Sequence, residues 1–162
     1  MSESLIYTKV ADKSVLYEEL LPQIKGLLED ETDVIANMAN ITAVLKEAFG
    51  FFWIGFYIVH GDQLVLGPFQ GSVACTRIHK GKGVCGTSWE KAQTIVVPDV
   101  DRFDGHIACN SLSRSEIVVP VFRNEKIVGV LDIDSDTLCS FDETDARYLE
   151  QIVELLSDSH FN

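Results

Sequence analysis

Basic residues are scarce in this chain. Its 13 lysines and arginines face 25 aspartates and glutamates, a formal net charge of −12 over 162 residues. That balance repels a phosphate backbone and an anionic lipid surface alike, so neither nucleic acid nor membrane is an expected partner. Proline is sparse too, at four residues, and no repeat, low-complexity tract or linker interrupts the chain. With 46 % hydrophobic and 23 % charged residues it reads as one globular domain over residues 1–162. No stretch approaches a membrane span, and Met1-Ser2-Glu3-Ser4 lacks the basic segment and apolar run of a secretory leader, so the expected compartment is the cytoplasm. Chemical motifs are missing as well. Gly81-Lys82-Gly83 has neither the length nor the hydroxyl residue of a phosphate loop, and no strand leads into a dinucleotide-binding glycine pattern. The cysteines are not accompanied by a Cys-x-x-Cys or His-x-x-x-His pair, so neither a metal nor an organic cofactor is expected.

Hydrophobic spacing supplies the elements. Val15, Leu16, Leu20, Leu21, Ile24, Leu27 and Leu28 recur at helical intervals from Ser14 to about Leu28, with Pro22 expected to kink the helix. A second helix from about Asp33 to Phe49 turns Val34, Ile35, Met38, Ile41 and Leu45 inward and stops at Gly50. The period then changes to two. Phe52 to Val59 and a strand from Gln63 form a hairpin about His60-Gly61-Asp62, and further strands are predicted at 74–79, 94–97, 116–122 and 126–133, the last two joined at Arg123-Asn124-Glu125. A short helix over 86–92, a polar irregular segment over 99–113 and a final helix over 142–157 complete the order. Helices first, interrupted strands next and a helix last give an α+β class, with an antiparallel sheet covered on one side by helices.

Three of the four cysteines, Cys75, Cys85 and Cys109, lie in this central region. One thiolate can attack an electron-poor sulfur and a second can capture the oxidised product as a disulfide; the alternative is that each thiol is a small buried hydrophobe. Cys85 precedes the predicted helix at Gly86, whose N-terminus would favour a thiolate, although Val84 and Cys85 can equally be core anchors. Cys109 sits in the long polar loop, where His106 and Arg114 would favour ionisation. Cys139, beside Ser140-Phe141, reads as a bystander. A cysteine hydrolase using His79 or His106 would leave the neighbouring thiols unexplained.

Acids and aromatics form a second set. Asp132 and Asp134 in Gly129-Val130-Leu131-Asp132-Ile133-Asp134 share one strand face while Leu131 and Ile133 share the other, and Glu116 on the neighbouring hairpin arm can converge on them. Such acids bind a cationic group or, with a pKa raised by burial, donate a proton; a solvated strand face is the plain alternative. Trp53 and Tyr57, four apart on one face with Gly55 between them, can wall a ligand site or pack under a helix.

From Trp53-Ile54-Gly55-Phe56-Tyr57 through Gly83-Val84-Cys85-Gly86, Gly105-His106-Ile107-Ala108-Cys109 and Ser113-Arg114-Ser115-Glu116 to Gly129-Val130-Leu131-Asp132-Ile133-Asp134, the chain resembles the GAF-domain free methionine-(R)-sulfoxide reductases. The resemblance implies that Cys109 is the nucleophile that attacks the sulfoxide sulfur, Cys75 the principal resolving cysteine and Cys85 an auxiliary partner. It implies thioredoxin as reductant and makes a homodimer reasonable. Glu116 or Asp134 would assist loss of the sulfoxide oxygen, Asp132 would hold the substrate ammonium, and Trp53 and Tyr57 would line the methylthio end. A GAF sensor module without turnover is the alternative the same pattern allows.

Overall fold

The computed structural model of the chain describes residues 4–159. Helix α1 runs Lys13–Leu28, with Asp12 accepting from the Ser14 amide at its start, and passes through Pro22 without ending. Helix α2 runs Val34–Phe49; the Asp33 carboxylate accepts from the amides of Ile35 and Ala36, and Gly50 closes the helix in the left-handed region. That cap places Ile35 in the first turn, where it is 49 % exposed rather than turned inward, and Val15 is likewise exposed at the start of α1.

Six strands follow: β1 Trp53–His60, β2 Gln63–Gln70, β3 Arg77–His79, β4 Ile95–Val97, β5 Ser115–Arg123 and β6 Lys126–Ser135. They form one antiparallel sheet in the order β3-β2-β1-β6-β5-β4. At the β5–β6 turn Asn124 and Glu125 both take positive φ, the geometry that matches strand twist in a tight hairpin. Helix α3, Gly83–Lys91, lies between β3 and β4, a 3-10 turn spans Val100–Arg102, and α4, Glu143–Glu154, begins at an Asp142–Asp145 capping box.

Helices cover both sheet faces, not one. Side chains of α1, α2 and α4 pack with Ile54, Phe56, Ile117, Val119, Val121, Leu131 and Ile133 in the larger core. The alternate residues of the same strands face the other way, where Tyr57, Val118 and Val130 meet Val84, Cys85 and Trp89 of α3. The larger core is tied across its helices by polar contacts: buried Asp145 accepts from the Tyr17 hydroxyl at 2.9 Å and pairs with Lys13, joining α4 to α1.

Several predicted boundaries move, the last helix ending at Glu154 rather than 157, and two of the shifts have a cause in specific contacts. Helix α3 begins at Gly83, three residues before the expected start, because Gly86 is not a boundary glycine. A Cβ on Gly86 would lie 2.4 Å from the His79 carbonyl oxygen, so its hydrogen lets the helix press against backbone. The predicted strand at 74–79 shrinks to Arg77–His79: Thr76 O still accepts from Leu66 N, but the Cys75 carbonyl turns to accept from the Tyr57 hydroxyl. Cys75 therefore lies in a loop and Cys85 inside a helix.

Because α3 can separate from the His79 carbonyl only by moving as a unit, Gly86→Ala is expected to destabilise the fold by about 1–3 kcal/mol in urea unfolding. A midpoint equal to that of wild type would show that the close approach costs nothing to relax.

Candidate active site

The site is built on the α3 face of the sheet, and strand register decides what meets there. Asp134 of β6 pairs with Glu116 of β5 on one side and Trp53 of β1 on the other; two residues along, Asp132 pairs with Val118 and Gly55. Side chains two apart on a strand share a face, so Glu116, Asp132, Asp134, Trp53 and Tyr57 converge on one patch. Helix α3 covers it with Cys85. The loops over 71–76 and 103–113 complete the rim, and a cavity of about 30 Å³ remains among these groups.

Gly55 makes room for an aromatic ring of its own strand, not for a ligand. A Cβ there would meet Trp53 Cη2 at 2.4 Å and Phe69 Cβ at 2.5 Å. The indole thus folds back over Gly55, stacks on Phe69 with centroids 5.5 Å apart and faces Tyr57 at 6.3 Å. Both wall residues are fixed by hydrogen bonds to the same loop: Trp53 Nε1 donates to the Ser72 carbonyl and the Tyr57 hydroxyl to the Cys75 carbonyl, each at 2.9 Å.

Glu116 and Asp132 are buried and Asp134 is half-buried, and Lys82 lines the same cavity. Burial pushes Glu116 well above the usual carboxylate range, and the Asp134 charge adds to it. Asp132 is raised by burial and by the charges of Glu116 and Asp134. Asp134 is raised by burial although the Ser113 hydroxyl, 2.5 Å from its Oδ1, and His106 oppose the shift. Asp132 Oδ1 is buried with no hydrogen-bond partner among the described residues. An unpaired carboxylate oxygen in an acid-rich pocket is the complement of a ligand cation.

The thiols separate by environment. Cys75 and Cys109 form a disulfide across the cavity mouth, with Cys109 exposed and Cys75 half-buried. Cys85 is free and buried; its place in the first turn of α3 does not favour a thiolate, because burial and the neighbouring Asp132 and Glu116 push the thiol up. This overturns the expectation of helix activation. Cys139 is free and exposed on a left-handed residue that hydrogen-bonds Pro98, outside the cavity. His106 reaches the site, with Nε2 3.4 Å from Glu116 Oε2, whereas Arg114 turns to Asp101 at 3.4 Å. In the sequence Ser113 enters only within the Ser113-Arg114-Ser115-Glu116 stretch, with no role of its own; its bond to Asp134 arises because the loop ends beside β6. The donor atoms of Cys85, Glu116 and Asp132 lie within 4.8 Å of one another, a set that could hold a metal ion. They come from three separate elements, so no local spacing could have revealed them.

Fold and site together define an α+β domain with a small acidic pocket closed by a redox-capable thiol pair. The chain belongs to the GAF domain family, whose model matches residues 29–159, and within it to the group of free methionine-R-sulfoxide reductases. It is 58 % identical to "GAF domain-containing protein A" of Dictyostelium discoideum over 98 % of this chain and 100 % of that protein. It is 44 % identical to the free methionine-R-sulfoxide reductase of Escherichia coli over 90 % of this chain and 88 % of that protein. The crystal structure of the free methionine-R-sulfoxide reductase from Neisseria meningitidis, in complex with its substrate, superposes with a TM-score of 0.93 at 57 % identity, covering 96 % of this chain and 93 % of that one.

Folding raises all three carboxyl pKa values, so the folded chain holds protons that the unfolded chain releases near the ordinary value of about 4. Their contribution to stability is complete below that pH and is lost as pH climbs through the raised values. Glu116→Gln is therefore expected to make the ligand-free protein more stable than wild type by about 1 kcal/mol at neutral pH, with the gap closing near pH 4. Urea unfolding at the two pH values checks this; the same gap at both would contradict it.

Proposed function

We propose that this chain is a single GAF domain that reduces free L-methionine (R)-S-oxide to methionine at the expense of thiols. The observation that carries the reading is the Cys75–Cys109 disulfide at the mouth of the acid pocket. It supplies a nucleophile and a resolving partner beside groups suited to a small zwitterion. The names of the E. coli and N. meningitidis relatives support the same substrate.

The residues divide the chemistry. The Cys109 thiolate attacks the sulfoxide sulfur, methionine leaves, and the oxygen remains on Cys109 as a sulfenic acid. A sulfoxide oxygen departs poorly unless protonated, and Glu116 and Asp134, both raised by burial, hold protons where a less buried carboxyl would not. Asp132 offers its unpaired oxygen to the substrate ammonium. Trp53 and Tyr57 wall the methylthio end. The Cys75 thiol then displaces the sulfenic oxygen as water, which returns the disulfide; one sulfoxide and two thiols become one thioether, one water and one disulfide. Cys85, close beneath the acids, serves as an auxiliary thiol. Because Cys109 is held in the disulfide across the cavity mouth, reduction must free its thiol before the next substrate is attacked.

We read the external reductant as thioredoxin and the assembly as a homodimer, both supported by the family resemblance, and the compartment as the cytoplasm, as expected from the amino-acid sequence. Among the described residues no helix is long and apolar enough to cross a membrane.

Incubation of the protein with each methionine sulfoxide epimer and a thioredoxin system tests the proposal through the methionine formed. The (R) epimer is expected to be consumed by wild type and not by Cys109→Ser. Turnover by both proteins would remove the nucleophile assignment, and no methionine from either epimer would favour a sensor. Asp132→Asn, which removes a charge-assisted contact to the ammonium, is expected to raise KM roughly 10- to 100-fold. Preference for peptide-bound sulfoxide would eliminate that contact.

A further inference from the structure

The loops that carry Cys75 and Cys109 are joined by a second tie, and it is not covalent. Asn110, adjacent to Cys109, donates from Nδ2 to Ser72 Oγ at 2.9 Å. Each partner is anchored to a rigid element. The Ser72 carbonyl accepts from the indole of buried Trp53 on β1. Asn110 Oδ1 accepts from the Leu112 amide at 2.9 Å and its carbonyl from the Ser113 amide at 3.3 Å, which fixes residue 110 to the stretch whose Ser113 hydroxyl holds Asp134 on β6. The Ser72–Asn110 bond thus closes a path from β1 to β6 across the cavity mouth, three residues from one sulfur and one residue from the other.

We infer that the Ser72–Asn110 hydrogen bond is a positioning clamp that holds the Cys109 loop against the Cys75 loop when both thiols are free, raising the effective concentration of one sulfur at the other. The two cysteines are 34 residues apart in sequence, and bringing them together after reduction costs closure entropy. In the disulfide state the clamp forms with that cost already met. In the dithiol state it forms only as the loops close. Its loss therefore weakens the disulfide state more than the dithiol state and shifts thiol–disulfide exchange toward the dithiol. For one partly exposed neutral hydrogen bond the shift is about 2- to 10-fold.

The step the clamp serves rests on the reductase reading: attack of the Cys75 thiolate on the Cys109 sulfenic acid, in which the S–S bond forms, the S–O bond breaks and the departing hydroxide is protonated to water. Ser72 and Asn110 touch neither sulfur in this account. They act by placing them.

Ser72→Ala removes the hydroxyl while keeping the carbonyl that accepts from Trp53 and the turn made by Asn110. Wild type, Ser72→Ala and Ser72→Thr are equilibrated with mixtures of reduced and oxidised dithiothreitol, a reagent that transfers two electrons and two protons to the disulfide as its own ring disulfide forms. The equilibrium constant for Cys75–Cys109 formation is expected to fall about 2- to 10-fold in Ser72→Ala and to stay at the wild-type value in Ser72→Thr. Equal constants for wild type and Ser72→Ala would overturn the clamp. So would the same loss in both variants, which would make residue 72 a matter of shape.

A single turnover with one equivalent of sulfoxide supplies the second readout. In Ser72→Ala, disulfide formation should slow relative to the methionine burst, and dimedone should trap more sulfenic acid on Cys109. Equal slowing of both steps would assign the bond to substrate attack and end the proposal. The equilibrium measurement uses no substrate, so a failure to form methionine would remove the reductase reading and still leave the clamp tested.

Discussion

Crowding of three acids on one patch of sheet, two of them buried and the third half-buried, is the constraint from which the rest of this structure follows. Glu116, Asp132 and Asp134 are held together by the β5–β6–β1 register, and neither strand can slip to relieve them. A slip of one residue would exchange the acids for Ile117, Leu131 and Ile133 and turn the larger core inside out. The hydrophobic side of the sheet therefore enforces the polar side. Mutual repulsion is met by protons: the carboxyls rise well above their ordinary range rather than ionise together. A ligand that brings its own positive charge changes that balance, since it allows Asp132 to ionise against a partner.

The same pocket accounts for the unequal standing of the thiols. Cys85 lies beneath the acids, in their field and out of solvent, and both effects oppose a thiolate. Cys75 and Cys109 lie on the rim, in loops outside the strands, with Cys109 exposed and Cys75 half-buried. Identical side chains less than one helix and one loop apart thus have different chemistry because of where the backbone leaves them. Reactivity belongs to the rim and proton storage to the floor.

Much of this was legible in the sequence because it follows short-range periodicity. The two-residue period of β6 separated Asp132 and Asp134 from Leu131 and Ile133, and the hairpin at Asn124-Glu125 brought Glu116 opposite Asp134. What was misread depends on contacts between distant segments. Gly86 reads as a helix boundary unless the His79 carbonyl pressed against it is known, and Gly55 reads as room for a ligand or another backbone unless the Trp53 indole is seen folded over it. Helix α3 was expected on the same side as the others, since nothing in its short sequence says which face it covers. Arg114 and His106 are equally plausible neighbours for Cys109 by spacing; in the structure the arginine pairs with Asp101 and the imidazole with Glu116. The roles of Ser72, Asn110 and Ser113 were invisible for the same reason, as polar loop residues acquire meaning only through the partner they find.

The separation of acids on strands from thiols on loops matches what each must do. A proton donor serves best if it stays where the reacting oxygen will be, and strands paired on both sides hold Asp132 and Asp134 in place. A redox sulfur must instead exchange partners, from substrate to second thiol to external reductant, and each exchange needs a different approach to the same atom. A strand residue could not make those moves without breaking its ladder. A loop residue can, but it loses proximity each time its disulfide opens. The paired strands therefore place the problem of precision on the loops, and the hydrogen bonds from Trp53 and Tyr57 to the Ser72 and Cys75 carbonyls meet it by anchoring the rim to the sheet.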